Sequence, residues 1–392
     1  MNNTVILLGY REGIANALIR HGFQIIYIVS KFKPVLSGTK YYMVKDLEDA
    51  QEVLRCLLNL PIYTIKGVVT GNEDGVFTAA VLRDMLQLPG PKDYRSTLYF
   101  RDKFLQKQRL AQAVPHAHCR YVTPNDDYSQ LVVEVGFPFI IKPANGMGSF
   151  ATTVISSEFD YETYFRQYKD NLSYVAYVAE NKITASEFTA DGIWSDGKLR
   201  WFSICQYTTP PIQCNEGKTL ALQIISRKDF PEFYEQINAF CLCALTQLQA
   251  SDGVFHLEFF KNDEGIFFNE CALRPAGAWV PEIITLSYGV DLYAAHAMLS
   301  LSLKQPDKRP LPHYPSQLFA IVLLRTTPGV SLTRQDFYQN FDLVELDWTD
   351  GEQAEPKGIY GRAGYAIIKH EHHQTLMENV NKLIAFTEHK NA

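Results

Sequence analysis

The stretch FPFIIKPANGMGSF, residues 137–150, joins a short apolar run to a lysine, a proline and a loop of small residues. The apolar run is typical of a buried strand that ends at Lys142. Gly146 and Gly148 would let backbone N–H groups approach phosphate oxygens closely, and Ser149 adds a hydroxyl. With Lys142 as a point charge, the stretch predicts a loop that grips phosphate. An ordinary hairpin loop with an exposed lysine is the alternative, because the lysine precedes the loop, unlike that of a P-loop.

The composition limits the class of protein. A length of 392 residues predicts two or three domains. The net charge of -6 argues against a nucleic-acid-binding protein, which is usually basic. The 7 cysteines contain no C-x-x-C pair, so we expect free thiols in a reducing compartment. Neither a signal peptide nor an apolar run of membrane-spanning length is evident, and we therefore predict a cytoplasmic protein without a membrane partner.

Strands and helices alternate in the first part of the chain, which predicts a small parallel α/β sheet. Apolar runs predict strands at 4–10, 24–30 and 65–71, and helical periodicity predicts helices at 11–23, 46–60 and 72–88. Beyond residue 98 the pattern is mixed. We predict helices at 100–114, 229–249 and 289–303, a return strand at 151–157, β-rich segments at 174–207 and a hairpin at 253–274. The predicted parts are an N-terminal domain at 1–97, two subdomains at 98–175 and 176–310, and a C-terminal extension at 311–392.

The hairpin carries a pair of carboxylates. NDEG at 262–265 predicts a turn, and folding about it sets Glu258 opposite Asn269 or Glu270. If Glu258 faces Glu270, two like charges lie about 5 Å apart and need compensation. Mg²⁺ would supply it, since Mg²⁺ in phosphate sites uses one or two carboxylates. Arg274 would lie on the same face as Glu270, where it could hold a phosphate or carboxylate. Solvated glutamates, or a one-residue slip that separates them, are the alternative.

Two further elements are ambiguous by themselves. Lys103, in RDKF, is either a phosphate ligand or an ordinary surface lysine of a helix. In VAENKITASEF, Glu180 and Glu187 stand seven residues apart with Ile183 between them. A carboxylate there could accept both hydroxyls of a ribose, and the connecting backbone could pair with an adenine edge. Exposed glutamates are the alternative.

In their order along the chain, these elements resemble the ATP-grasp superfamily over about residues 1–305. The resemblance rests on Lys103, Lys142 before the glycine-rich loop, E-x-x-I-x-x-x-E at 180–187, and Glu258 with Glu270 twelve residues later. It implies an N-terminal parallel α/β domain, a two-lobed ATP-grasp fold and a small C-terminal α+β extension. ATP and Mg²⁺ are the implied cofactors, with Mn²⁺ as the alternative metal.

The resemblance also implies roles for individual residues. Lys103 and Lys142 would contact the α- and β-phosphates, the loop would close over them, and Glu187 would hold the ribose. Glu258 and Glu270 would ligate the metal, and Arg274 would steady an acyl phosphate. The implied ATP-binding residues are Lys103, Lys142, Asn145, Gly146, Gly148, Ser149, Glu180, Asn181, Lys182, Ile183 and Glu187.

One position departs from the family pattern. Many members carry a third metal ligand, an asparagine, two residues after the second glutamate, and Ala272 stands there. The number of metal ions is therefore open. Within the superfamily, VFHLEFF and NECALRPAG most resemble carboxylate–amine ligases, the group containing L-amino-acid ligases and carnosine synthase. His256 lies where such members often have a histidine and is a catalytic candidate, with a core histidine as the alternative.

The implied reaction transfers phosphate from ATP to a carboxylate and then the acyl group to an amine. Partners would be small carboxylate and amine substrates, without nucleic acid, and a homodimer is a further expectation. There are two competing hypotheses. One is an enzyme with another acceptor, which would form a thioester or carboxylate its substrate, and the other is a non-catalytic ATP-binding module. A nicotinamide-dependent dehydrogenase is disfavoured, because LLGYREG has G-x-x-x-G and not G-x-G-x-x-G.

The substrate pocket is less defined by the sequence. We expect the 200–228 region to read the substrates, with Trp201, Tyr207 and Trp279 as walls and Lys218 reaching the γ-phosphate. KHEHHQ at 369–374 could bind a metal through its histidines, but solvated loop residues are the favoured interpretation.

Overall fold

The structure is a computed structural model. It describes residues 3–30, 40–58, 65–168, 176–303, 310–326, 330–349 and 361–388. Within these ranges no helix is both long and apolar enough to cross a membrane.

A parallel sheet forms the N-terminal part, as the sequence predicts. Its strands are β1 (Thr4–Leu8), β2 (Gln24–Val29), β3 (Tyr41–Met43) and β4 (Ile65–Thr70), in the order β3-β2-β1-β4. The connecting helices are α1 (Glu12–Arg20), α2 (Ala50–Leu57) and α3 (Val76–Met85). Every residue of β1 is buried, which explains its uninterrupted apolar run. The sequence reading missed β3, because this short edge strand is largely exposed and has no apolar run.

A second sheet has four strands and is antiparallel. It contains β5 (Cys119–Val122), β6 (Phe139–Pro143), β7 (Thr153–Ile155) and β8 (Tyr177–Asn181), in the order β5-β8-β6-β7. The helices in this part of the chain are α4 (Tyr94–Tyr99), α5 (Lys103–Leu110), α6 (Tyr128–Val135) and α7 (Glu158–Tyr168). The predicted helix 100–114 is shorter in the structure, since Asp102 caps α5 by accepting the N–H groups of Phe104 and Leu105.

The third sheet has eight antiparallel strands: β9 (Ser186–Ser195), β10 (Lys198–Tyr207), β11 (Leu220–Ile225), β12 (Gly253–Asn262), β13 (Gly265–Ala272), β14 (Leu318–Leu323), β15 (Leu343–Trp348) and β16 (Gly364–His370). Their order in the sheet is β13-β12-β9-β10-β11-β14-β16-β15. The helices are α8 (Pro231–Gln247), α9 (Val280–Tyr288), α10 (Leu292–Ser300), α11 (Arg334–Asn340) and α12 (His373–Glu388). Together the two antiparallel sheets confirm the predicted two-lobed architecture.

Sheet membership crosses two of the predicted domain boundaries, although the division itself stays a prediction. β8 pairs with β5 and β6, so the second sheet extends past residue 175. The C-terminal strand β14 pairs with β11, so the C-terminal extension continues the third sheet. Such pairings join segments that are far apart in sequence, and no local pattern encodes them.

The centre of the third sheet is tightly packed at Gly192 on β9. A methyl group there would lie 2.3 Å from the Trp201 carbonyl oxygen and 2.8 Å from the Phe255 ring. We expect Gly192→Ala to lower the free energy of unfolding by about 1–3 kcal/mol, because overpacking forces the strands apart. Urea denaturation would measure it. Gly277→Ala is the control, since a methyl group there meets no atom within 4 Å, and it should change stability by less than about 0.5 kcal/mol.

Candidate active site

A cavity of about 980 Å³ lies between the three sheets. The N-terminal sheet contributes the segments that follow β1 and β4, namely residues 9–11 and 71–74. These strands are neighbours where the strand order reverses, which is where open parallel sheets usually bind ligands. Further parts of the wall come from α5, β6, the glycine-rich loop, the 180–187 segment, the 207–216 region and the cavity-facing side of β12 and β13.

The hairpin of β12 and β13 adopts the predicted register, with Glu258 directly opposite Glu270. The other face of β12 determines this register, since Phe255 and Phe259 are fully buried in the core with α8. A one-residue slip would turn these rings into the cavity and the carboxylates into the core. The charged pair is therefore fixed by the burial of its apolar neighbours.

Lys103, the first residue of α5, compensates one of these charges. Its Nζ lies 2.7 Å from a Glu270 carboxylate oxygen and donates a hydrogen bond of 2.7 Å to the Gly146 carbonyl. Its backbone N–H donates to the Ala144 carbonyl. The lysine is buried and joins the hairpin to the glycine-rich loop, which excludes the alternative of a surface lysine.

A buried charge cluster, formed by Lys107, Lys142, Glu180 and Asn269, lies beneath Lys103. The Glu180 carboxylate contacts Lys107 Nζ at 2.7 Å and Lys142 Nζ at 2.9 Å. Lys107 also donates to the Asn269 carbonyl, and Lys142 to the Asn269 side-chain oxygen. Burial raises the pKa of Glu180, but the two ammonium groups outweigh it and hold that pKa at about 2. Glu180 therefore holds Lys142 in place, and the exposed-glutamate alternative is wrong for it.

Asn269 links this cluster to two further carboxyl groups. Its Nδ2 donates to Glu258 at 3.2 Å and lies 3.5 Å from Glu187. Burial and then the nearby Glu258 charge raise the pKa of Glu187 well above its ordinary value. Sequence reasoning assigned no role to Asn269 or Lys107. The ladder shifts register at this point and leaves Asn269 without a partner on β12, so strand alternation does not flag it, and neither residue belongs to a recognisable motif.

His256 lies between two carboxylates. Its Nδ1 is 2.8 Å from Asp191 and its Nε2 is 3.2 Å from Glu258. Asp191, fully buried on β9, also accepts a hydrogen bond from Thr189. Burial lowers the pKa of His256, but Asp191 and Glu258 outweigh it and raise that pKa to about 10. The histidine is therefore buried and charged, and it connects the hairpin with β9.

Arg274 meets the N-terminal sheet. Its guanidinium Nε donates to the Glu73 carboxylate, which also pairs with Arg101 at 3.0 Å. Arg101 pairs in addition with Glu48. Burial raises the pKa of Glu73, but Arg274 and Arg101 hold it at about 2. The arginine is thus anchored at the edge of the cavity, and sequence reasoning missed its acidic partner.

The remaining predicted ATP-binding residues also line the cavity. They are Asn145, Gly146, Gly148 and Ser149 of the loop, and Asn181, Lys182, Ile183 and Glu187 around the start of β9. Two backbone N–H groups of the second set are already used, since Asn181 donates to His118 and Lys182 donates to Pro138.

Some predicted positions lie elsewhere. Trp201 is a core residue whose indole N–H donates to the Pro312 carbonyl, and Lys218 is exposed and outside the cavity lining. Trp279 packs on Tyr365 instead of lining the cavity, whereas Tyr207 lines it and lies 3.3 Å from Glu258. Among the described residues no group of three or more His, Cys, Asp or Glu side chains is placed to hold a metal, including the histidines at 370–373. All seven cysteines are free thiols.

Comparisons with known proteins bear on the family and the fold of this chain. A family model described as an ATP-grasp domain matches residues 135–282. The L-arginine-specific L-amino acid ligase of Bacillus subtilis is 26% identical over 269 residues, which are 66% of this chain and 64% of that protein. This chain therefore matches slightly less than two thirds of the length of that relative.

Solved structures extend the likeness to nearly the whole chain. An L-amino acid ligase from Bacillus licheniformis superimposes with a TM-score of 0.76 at 16% identity, covering 97% of each chain. A carboxyaminoimidazole ribonucleotide synthase from Aspergillus clavatus, complexed with ATP, superimposes with a TM-score of 0.75 at 13% identity, covering 99% of each chain. At these identities the likeness establishes the fold, which confirms the predicted architecture.

The buried charge cluster generates a test by double mutation. We expect Lys107→Met to cost about 3 kcal/mol of stability, because it leaves Glu180 with less compensation in a buried place. Glu180→Gln should also destabilise. The double variant should lose at least about 1 kcal/mol less stability than the two single variants lose together, since both changes break the same Lys107–Glu180 ion pair. If urea denaturation showed that the two single losses of stability simply add up in the double variant, Lys107 and Glu180 would not be coupled as the cluster requires.

The Glu73 ion pairs predict a dependence of stability on pH. Because the folded-state pKa of about 2 lies below the ordinary value of 4.5, this stabilisation is complete above pH 4.5 and is lost as the pH falls toward 2. Its size is about 3 kcal/mol. We expect the difference in free energy of unfolding between the protein and Glu73→Gln to shrink between pH 6 and pH 3. The exposed Glu264→Gln is the control, and a difference for Glu73→Gln that is constant with pH would contradict the assignment.

Proposed function

We propose that this ATP-grasp protein is an ATP-dependent carboxylate–amine ligase. It joins two small substrates of the amino-acid class through an amide or peptide bond and releases ADP and phosphate. The observation that carries the proposal is the convergence of Lys103 and Lys142 with Glu258 and Glu270 on one cavity. The similarity to L-amino acid ligases supports the substrate class.

The paired carboxylates fit a bound Mg²⁺, with Mn²⁺ as the alternative. Glu258 and Glu270 are oxygen donors on adjacent strands at the cavity wall, and two protein carboxylates suffice when phosphate oxygens and water complete the shell. Ala272, opposite His256, adds no ligand. When bound, the metal would neutralise phosphate charge. Each carboxylate also has a neighbouring basic side chain, Lys103 for Glu270 and His256 for Glu258, which offsets the repulsion within the pair.

The lysines would bind the phosphates of ATP. Lys103 and Lys142 carry positive charge into a buried cavity, where it attracts phosphate more strongly than in water. Burial lowers the pKa of Lys142, but Glu180 and then Glu270 raise it above its ordinary value, so the charge persists. The loop 145–149 would cover the phosphates, the 181–183 segment would hold adenine, and Glu187 would hold the ribose. We assign Glu180 to positioning Lys142 instead of contacting the nucleotide.

The reaction would proceed by two transfers. A substrate carboxylate attacks the γ-phosphate in line and forms an acyl phosphate, with ADP as the leaving group. A neutral amine then attacks the acyl carbon, the bond to the phosphate oxygen breaks, and the nitrogen loses a proton. Arg274, anchored by Glu73, would steady the acyl phosphate. Since both ring nitrogens of His256 already face carboxylates, we propose that His256 orients Glu258 and does not touch the reactants.

The competing hypotheses are another acyl acceptor and a binding module without catalysis. The test is phosphate release from Mg·ATP across a pairwise panel of amino acids, with the nucleotide product identified. ADP, phosphate and an amide product only with particular pairs would establish the ligase. AMP and pyrophosphate would refute the acyl-phosphate mechanism. ATP binding without turnover on any pair would favour the competing hypotheses.

Once an active pair is known, the carboxylate pair can be tested directly. We expect Glu258→Gln and Glu270→Gln each to lower the turnover rate by about 100-fold, because a preorganised charge next to the phosphates is lost. The matched control is Glu264→Gln, which lies exposed in the turn of the same hairpin and should keep full activity. Full activity in the Glu270→Gln variant would refute the metal assignment.

A further inference from the structure

Two segments from opposite sheets meet over the cavity. The glycine-rich loop between β6 and β7 contributes Met147–Phe150 and Thr152 to the lining. The segment between β10 and β11, a short 3₁₀ helix at Pro211–Glu216, contributes residues on the other side. Asn215 joins them, since its Nδ2 donates hydrogen bonds of 3.0 Å to the carbonyl oxygens of Ser149 and of Thr152. This contact, made by a solvent-exposed side chain, joins the two lobes at the edge of the cavity.

The loop is held in a conformation that its residues do not favour. Ser149 and Ala151 have φ values of 57° and 51°, in the left-handed region that costs non-glycine residues energy. Its own lobe supports the loop near both ends, where Lys103 donates to Gly146 and Tyr164 donates to Ala151, and at the Phe150 ring, which packs edge-on against Tyr168. Asn215 reaches the tip from the opposite lobe. A strained loop persists only while such contacts hold it, so we expect loss of the Asn215 side-chain amide to loosen the tip.

We propose that Asn215 is a positioning residue that latches the glycine-rich loop over the cavity and thereby protects the acyl-phosphate intermediate from water. The protective part rests on the proposed function. If water entered, it would attack the acyl carbon, break the bond to the phosphate oxygen and return the original carboxylate with free phosphate. Such turnover consumes ATP without forming an amide. The ratio of phosphate released to amide formed therefore reports how well the latch holds.

The side-chain chemistry of Asn215 provides a sharp variant. Asn215→Asp keeps the shape of the side chain but replaces the amide donor by a carboxylate that faces two carbonyl oxygens. Asn215→Ala removes the contact without adding a charge. Asn340→Asp makes the same chemical change at an exposed position on α11 and serves as the matched control. All three substitutions leave Lys103, Lys142, Glu258 and Glu270 unchanged.

The experiment combines two measurements on the whole 392-residue chain. The first is the phosphate-to-amide ratio with Mg·ATP and an active pair of amino acids. The second is the rate of chymotrypsin cleavage after Phe150, which is 61% exposed at the tip of the loop. One neutral hydrogen bond changes an equilibrium about fivefold, so we expect both Asn215 variants to raise the ratio and the cleavage rate by at least about fivefold. Asn340→Asp should match the unmodified protein.

The two measurements separate the latch from the proposed function. Cleavage rates equal to that of the unmodified protein would overturn the latch. Faster cleavage with an unchanged ratio would overturn its protective role. If the unmodified protein forms no amide with any pair, the proposed function fails, and faster cleavage of the Asn215 variants would then support the latch alone.

Discussion

The structure depends on compensating a group of buried carboxylates. Glu258 and Glu270 face each other across two strands, and Glu187 and Asp191 lie on the neighbouring strand. Like charges in such a place repel, and unpaired burial of any one of them would cost several kcal/mol. His256 compensates Asp191 and Glu258 from within the third sheet, whereas Lys103, which pairs with Glu270, comes from the other lobe. The same pairing holds the two lobes around one cavity.

The N-terminal sheet is tied to this arrangement by a different set of contacts. Glu73 pairs with Arg274 from the end of the hairpin, and Arg11 donates to the carbonyl oxygens of Gly71 and Pro275. His296, buried on α10, lies 2.8 Å from the Thr70 carbonyl at the end of β4. These contacts converge on the carboxyl ends of β1 and β4. The cavity thereby gains a third wall, formed by residues 9–11 and 71–74.

Hydrophobic burial fixes the positions of the charged side chains. Phe255 and Phe259 fill the core behind β12, and this fixes the face on which Glu258 stands. Tyr234 and Leu245 pack from α8 into the same core. Because side chains alternate along a strand, burying one face orients the other without any further interaction. A site of this kind can place charges accurately even though charge repulsion opposes it.

The sequence by itself determined the parallel N-terminal sheet, the hairpin with its paired glutamates and the lysine before the glycine-rich loop. These features are local, since apolar runs, turn residues and strand alternation are written in consecutive positions. Only the tertiary structure decided that Glu180 binds two lysines, that Asn269 and Lys107 belong to the site, that Trp201 is a core residue, and that the C-terminal strands continue the third sheet. Each of these depends on which distant segments meet. A buried polar group takes whatever partner the packing brings within hydrogen-bond reach, and the sequence around it does not encode that partner.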